Sequence, residues 1–319
     1  MKGTNIYILG TLSIAAIIAV VFISTTYQSQ NDEFIGANLV DDTGYSLNLT
    51  SLPERIVSLA PSNTEILFAI GAGDKVVGVT RYCNYPYNFT AWIEAGNLTD
   101  IGSYNNPTIE PIVALEPDLI LSTQKSLDST ENLRNLGYNV LVLAPTNMST
   151  VLNNILLIGR ATDHYNEALV IESELSQKID AITNQAATAT STPKVYNEIW
   201  AEPIKAAGPG SFIDELITVA GGENIFHDAF ANYPTVSYEE IVEKNPDVMI
   251  FPDEYMGVEH YFKNMDPVKD RSGWNVISAV QTDRIYEINS DLISRAGPRL
   301  VEALEILAKM IHPEIFGQP

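Results

Sequence analysis

The sequence predicts an α/β protein of two similar lobes with parallel sheets, joined by one long rigid helix. Three observations point there. Short apolar runs alternate with helical stretches at strand–helix–strand spacing from Arg55 onward. A segment recurs: Glu110 to Leu121 aligns without gaps on Glu239 to Ile250, with Glu, Ile, Val, Pro, Asp and a final aliphatic at equal offsets. Residues 149–185, between the copies, are largely helical in pattern.

The elements follow in order. Asn38 to Leu52 suggests a hairpin turned by Asp41, Asp42 and Gly44. Arg55–Ala60 is a short buried strand, ended by Pro61. Ser62 and Glu65 have the spacing of a capping box for a helix over 63–70, stopped at Gly71 and Gly73. Then come a strand at 76–79, a helix at 109–115, a strand at 118–122, a helix at 129–136 and a strand at 139–143. Val151, Ile155 and Ile158 fall at helical spacing, as do Leu175, Ile179 and Ile182, with a break expected near Thr162 and Asp163. A polar linker over 186–193 opens the second series: strand 194–200, helices near 211–219 and 238–244, strands 247–251 and 285–288, and a last helix over 297–311. The domain reading is 33–147 for the first lobe, 148–192 for the helical connection and 193–319 for the second lobe.

Residues 1–32 read as an anchor and linker. Ile6 to Ile23 is eighteen residues without a charge. As a helix it spans about 27 Å, close to a bilayer's hydrocarbon core. Lys2 precedes it, and no small-residue cleavage site follows, so an uncleaved transmembrane helix is preferred to a signal peptide. Either way the remainder is exported. Asn48, Asn88, Asn97 and Asn147 begin Asn-x-Ser/Thr triplets, candidate glycan acceptors outside the cell.

Composition excludes several functions. With 40 acidic and 18 basic residues the net charge is −22, which repels nucleic acids and anionic lipids. A single cysteine, Cys83, rules out an internal disulfide and any multi-cysteine metal site, and it reads as a small buried thiol. His164, His227, His260 and His312 are far apart and read as partly exposed side chains, not as convergent metal ligands. No nucleophile elbow, phosphate loop or zinc-protease motif is present, so the chain is not read as an enzyme.

Aromatic residues gather where loops should face the cleft between lobes. Tyr82 and Tyr85 follow the strand at 76–79. Tyr104 precedes the first repeat helix, Tyr233 precedes the second, and Trp200 ends the strand that opens the second lobe. Loops after parallel strands form ligand sites, and tyrosine or tryptophan there suits a large ligand or, equally, ordinary packing at the lobe edges. Glu110 and Glu239 are equivalent acids, one per lobe. Helix-dipole complementarity explains them, and so does docking on a partner with two similar halves.

Together these segments resemble a known family. Arg55–Glu65, Arg81–Pro86, Glu110–Asp118, Phe212–Phe226, Val236–Asp247 and Ser294–Arg299 are similar to the substrate-binding proteins of ABC importers for cobalamin and ferric siderophores, most of all to the cobalamin branch. The resemblance covers about 39–312. It implies two Rossmann-like lobes bridged by one rigid helix, the class III periplasmic-binding-protein fold, with a shallow cleft. It implies capture without catalysis, no cofactor, and an ABC permease dimer with ATPase subunits as partner. The protein is then expected at the cell membrane, single-pass, with its binding domain outside.

Under that resemblance Glu110 and Glu239 match the paired acids that engage permease arginines, and Tyr82, Tyr104 and Tyr233 match positions that pack on the corrin. Thr123 and Leu292 stand where a cobalamin binder carries tryptophan, with Trp200 expected to compensate. The ligand is read as a corrinoid, with a ferric siderophore or heme-like chelate as alternative and a chelate-processing enzyme as a distant third. Arg81, Arg295 and Arg299 are open candidates for meeting an anionic chelate.

Overall fold

A computed structural model describes residues 36–255, 258–259 and 266–319. The Ile6–Ile23 run and His260 lie outside these residues. Among the described residues no helix is long and apolar enough to cross a membrane.

The first-lobe strands are β1 (Ala37–Val40), β2 (Ser46–Leu49), β3 (Ile56–Ser58), β4 (Val76–Val79), β5 (Thr99–Asp100), β6 (Leu119–Thr123) and β7 (Val140–Leu143). The second lobe holds β8 (Lys194–Ala201), β9 (Ile204–Ala206), β10 (Glu223–Asn224), β11 (Val248–Pro252), β12 (Glu254–Tyr255), β13 (Val258–Glu259) and β14 (Ile285–Ile288). One parallel sheet runs β5-β4-β3-β6-β7 and another runs β10-β8-β11-β14, with β9 antiparallel on β8. In each, the chain winds outward from a central strand and then switches to the other side, between β3 and β6 and between β8 and β11. Ligand crevices open at the carboxyl ends of strands at such switch points.

The duplicated segment folds the same way twice. Thr108 and Ser237 are extended N-caps for the helices Ile109–Ala114 and Tyr238–Lys244. Each helix then turns through a left-handed residue, Glu116 at φ 45° and Asn245 at φ 46°, directly before the shared proline. The shared aspartate comes next and explains its own recurrence. Asp118 accepts hydrogen bonds from the Glu54 and Arg55 amides, both at 2.9 Å, and Asp247 accepts from the Lys194 amide at 2.9 Å. Each aspartate returns its own N–H to the same place, to Arg55 O at 3.0 Å and Lys194 O at 2.8 Å. Thus each copy fixes the register of its strand against the central strand, β3 or β8.

Alternation puts both sheet faces to use. Val248 and Ile250 of β11 pack into a cluster with Val195, Leu216, Leu304 and Leu307, while Met249 and Phe251 pack on the opposite side with Tyr196, Trp274 and Ile277. With helices on both faces, both sets of alternating β11 side chains are buried, so the strand is apolar throughout. The first lobe is built likewise around Val57, Leu59, Ile120, Leu133 and Val140.

The β1–β2 hairpin is fastened to the edge strand β7 by Asp41, which is 4% exposed. Its Oδ1 accepts from the Thr43 and Tyr45 amides at 2.9 and 3.0 Å, closing the turn. Its Oδ2 accepts from the Val142 amide at 3.0 Å and from Arg134. The connection between lobes is two helices in succession, Met148–Thr162 and Tyr165–Ala186, broken at left-handed Asp163. The second is 22 residues, about 33 Å, and Ile182 joins the second-lobe core.

Two expectations are corrected here. The first helix begins at Pro61 and is capped by Ala60, so Glu65 stands too far along it to reach back to the cap. Its carboxylate instead crosses to the other lobe, so no Ser62–Glu65 capping box forms. His312 is fully buried, not partly exposed: its ring lies between Gly221 O at 3.1 Å and Glu314 Oε1 at 2.9 Å.

Candidate ligand-binding cleft

The carboxyl-end loops of both sheets converge on one cleft of about 410 Å³. From the first lobe come Ala60–Ser62 after β3, Tyr82 after β4, Tyr104 after β5, Thr123–Lys125 after β6 and Leu143–Pro145 after β7. The second lobe contributes Phe212, Tyr233, Asp291 and Ser294–Ala296. Its volume lies in the usual range for small-molecule sites.

Tyr82 and Tyr104 meet edge to face, ring centres 5.5 Å apart at 77°. Tyr233 presents its ring from the opposite lobe, and partial burial raises its pKa above the ordinary value. Tyr82 and Tyr233 are about half exposed, apolar area left open to a ligand.

Trp200 and Tyr85 do not line the cleft. Trp200 sits at the β8–β9 hairpin, where a register shift turns the strand, and its indole N–H donates to Glu202 O at 3.0 Å. Tyr85 lies under the Arg299 guanidinium, 4.0 Å from ring centre to charge. Thr123 lines the cleft, whereas Leu292 packs on the second-lobe core.

The cleft floor is a buried polar tie between lobes. Glu65, 3% exposed, accepts from Arg295 Nη1 at 3.1 Å and from Arg299 Nη2 at 2.7 Å and Nε at 3.0 Å. Arg295 also donates to Asn84 Oδ1 at 2.7 Å and Tyr82 O at 3.0 Å and pairs with Asp291 at 2.6 Å. Asn84 in turn donates to Asp291 Oδ2 at 2.8 Å. Burial works against the Arg299 charge, yet the Glu65 hydrogen bonds and charge outweigh it and lift its pKa. Arg295 and Arg299 are therefore already committed to Glu65, and Arg81 lies 3.7 Å from Asp100, outside the cleft lining.

A second tie runs the other way. Glu215 in the helix Phe212–Val219 of the second lobe accepts from the Met148 amide at 2.9 Å, at the start of the connecting helices. Glu65 and Glu215 stand at the same distance before Gly71 and Gly221, the left-handed glycines that end their helices. Each lobe thus grips the segment that leaves the other lobe's last parallel strand, β14 or β7. Burial raises the Glu215 pKa, opposed by the Met148 amide.

Cys83 is 3% exposed and sits between the hydroxyls of Thr64 at 3.2 Å and Thr80 at 3.3 Å. Burial pushes its thiol up, which suits a structural role. Among the described residues no three His, Cys, Asp or Glu side chains gather to hold a metal. Glu110 and Glu239 are both exposed at the second position of their helices, and neither makes a hydrogen bond or ion pair among the described residues. Ser237 and Glu240, beside Glu239, do form the capping box that their spacing suggests.

Residues 56–292 match the family described as periplasmic binding protein. This chain belongs to that family. A protein of Bacillus subtilis described as an uncharacterized ABC transporter substrate-binding lipoprotein is 31% identical over 91% of this chain and 90% of its own length. The solved vitamin B12-binding protein of Vibrio cholerae is 26% identical with a TM-score of 0.68, covering 81% of this chain and 96% of that one. The solved heme-binding protein of a Roseiflexus species is also 26% identical, with a TM-score of 0.72 over 81% of this chain and 98% of that one. All three are named for binding a substrate or ligand. Sequence reasoning placed the aromatic cleft loops but missed Lys125, Phe212, Asp291 and the Arg295 tie, which only the meeting of the lobes brings together.

Proposed function

We propose that the protein is the extracytoplasmic binding component of an ABC importer, capturing a corrinoid and delivering it to the permease. One observation carries the reading: tyrosines from both lobes, Tyr82 and Tyr104 against Tyr233, line a single cleft over a floor whose charges are already paired. Flat aromatic walls and a neutral floor suit a large, flat, amide-rimmed macrocycle. The likeness to vitamin B12-binding relatives favours the same ligand. Glu110 and Glu239 serve as the paired docking points for the permease. The Ile6–Ile23 run is the membrane anchor, since the one cysteine, Cys83, is buried and unsuited to carry a lipid.

The alternative is a ferric siderophore or heme-like chelate, favoured by the heme-binding neighbour. Calorimetric titration with cobalamin, heme and a ferric hydroxamate separates them. Cobalamin binding at micromolar affinity or tighter is expected. Binding of either iron chelate with no response to cobalamin overturns the corrinoid reading and leaves the transport role standing. Fractionation tests the anchor: a freely shed, shortened protein would refute it.

A further inference from the structure

Among the described residues, the charged ones lining the cleft are Lys125, Asp291 and Arg295. Asp291 and Arg295 neutralise each other, and Arg295 spends its remaining donors on Glu65, Asn84 and Tyr82 O. Lys125 makes no ion pair among the described residues, although the chain carries a net charge of −22.

Its position is fixed by local structure. The chain leaves β6 through a single turn of 3-10 helix, Gln124–Ser126, capped by Thr123, whose hydroxyl accepts from the Lys125 amide at 3.2 Å. Ser126, 2% exposed, pins the turn from below through the Ser122 hydroxyl at 3.2 Å. The Lys125 ammonium lies over the Tyr104 ring, 5.2 Å from its centre, and Tyr104 abuts Tyr82. An ammonium held over a ring keeps its charge and its hydrogen-bond donors. The wall therefore offers a flat apolar face and, beside it, one cation without a counter-charge among the described residues.

We infer that Lys125 is the specificity-determining residue of the cleft, selecting flat ligands that carry a peripheral oxyanion, phosphate or carboxylate. The inference rests on the capture reading above. Cobalamin bears its anion as a phosphodiester on the nucleotide arm, and heme bears carboxylates on the ring edge. The chemistry Lys125 would read is common to both.

The test compares ligand pairs across Lys125→Gln and Lys125→Arg. Cobalamin is paired with cobinamide, which has the same ring without the phosphate-linked base. Heme is paired with its dimethyl ester. In the wild type the anionic member should bind about tenfold more tightly, the order expected for a close ion pair in a half-shielded site. Lys125→Gln should reduce that ratio to below about twofold by abolishing the coupling, and Lys125→Arg should retain it. A ratio unchanged in Lys125→Gln overturns the inference, whichever pair is bound. If heme binds and neither corrinoid does, the corrinoid reading falls while the ester pair still decides the role of Lys125. Failure to bind any of the four overturns both. Lys125 is exposed, so its variants should melt with the wild type.

Discussion

Arg299 of the second lobe grips Glu65 of the first through two hydrogen bonds, Nε to Oε2 at 3.0 Å and Nη2 to Oε1 at 2.7 Å. Both guanidinium and carboxylate are largely withdrawn from water, at 15% and 2% side-chain exposure. A paired buried charge contributes little net stability, but removing one partner strands the other. Glu65→Ala should therefore lower unfolding stability by about 3 kcal/mol in denaturant titration, since two arginines lose their shared partner. A loss below about 1 kcal/mol would show the tie to be solvent-relaxed.

Asp118 and Asp247 occupy equivalent places but hold unequal numbers of amides, two against one. These hydrogen bonds lie at the surface, where each contributes about 0.5–1.5 kcal/mol. Asp118→Ala should accordingly destabilise more than Asp247→Ala, by about 1 kcal/mol or more, as read from midpoint shifts. Equal losses would mean that the strand-start bonds do not set the cost.

Asp41 supplies a pH dependence. Burial alone would raise its pKa, but the Thr43 hydroxyl and the Val142, Tyr45 and Thr43 amides prevail and hold it below the ordinary 3.8. A carboxylate depressed on folding stabilises the protein above its unfolded pKa, and that contribution is lost as pH falls through the folded value. The stability gap between wild type and Asp41→Asn should be constant from neutral pH down to about pH 5 and shrink below it. A gap independent of pH to pH 2.5 would contradict this.

Glu110 and Glu239 are free of partners among the described residues, and substitution should cost the fold only a few tenths to 1 kcal/mol. The Glu110→Lys, Glu239→Lys double variant should bind ligand as the wild type does yet fail in uptake, because like charges would meet the permease. Normal uptake would reduce both residues to helix-terminus acids. Loss of ligand binding would put them in the cleft instead.

Most strands and long helices were legible because they carry their own signals: an unbroken apolar run in β11 and helical spacing in 148–162 and 165–186. The helix Tyr238–Lys244 and the strand Ile285–Ile288 have the bounds their patterns suggest. The short elements, such as β5, β10 and the helix Ser290–Ser294, were not legible, since two to five residues cannot display a period. Glu65 shows the deeper reason. Its local spacing reads as a helix cap, and only the other lobe, far along the chain, reveals its partner. Trp200 erred in the same direction: its place at a strand end was right, but the hairpin that turns it away has no strong sequence mark.

The paired ties of Glu65 and Glu215 bear on how cargo leaves. A jaw that hangs free opens and shuts with thermal motion, so its posture can announce whether it is full. Here each half is moored to the outgoing segment of the other, and spreading the halves means stranding a buried charge. Posture is then a poor messenger. If the protein delivers its ligand as proposed above, prising the halves apart is mechanical work that falls to the receiving permease.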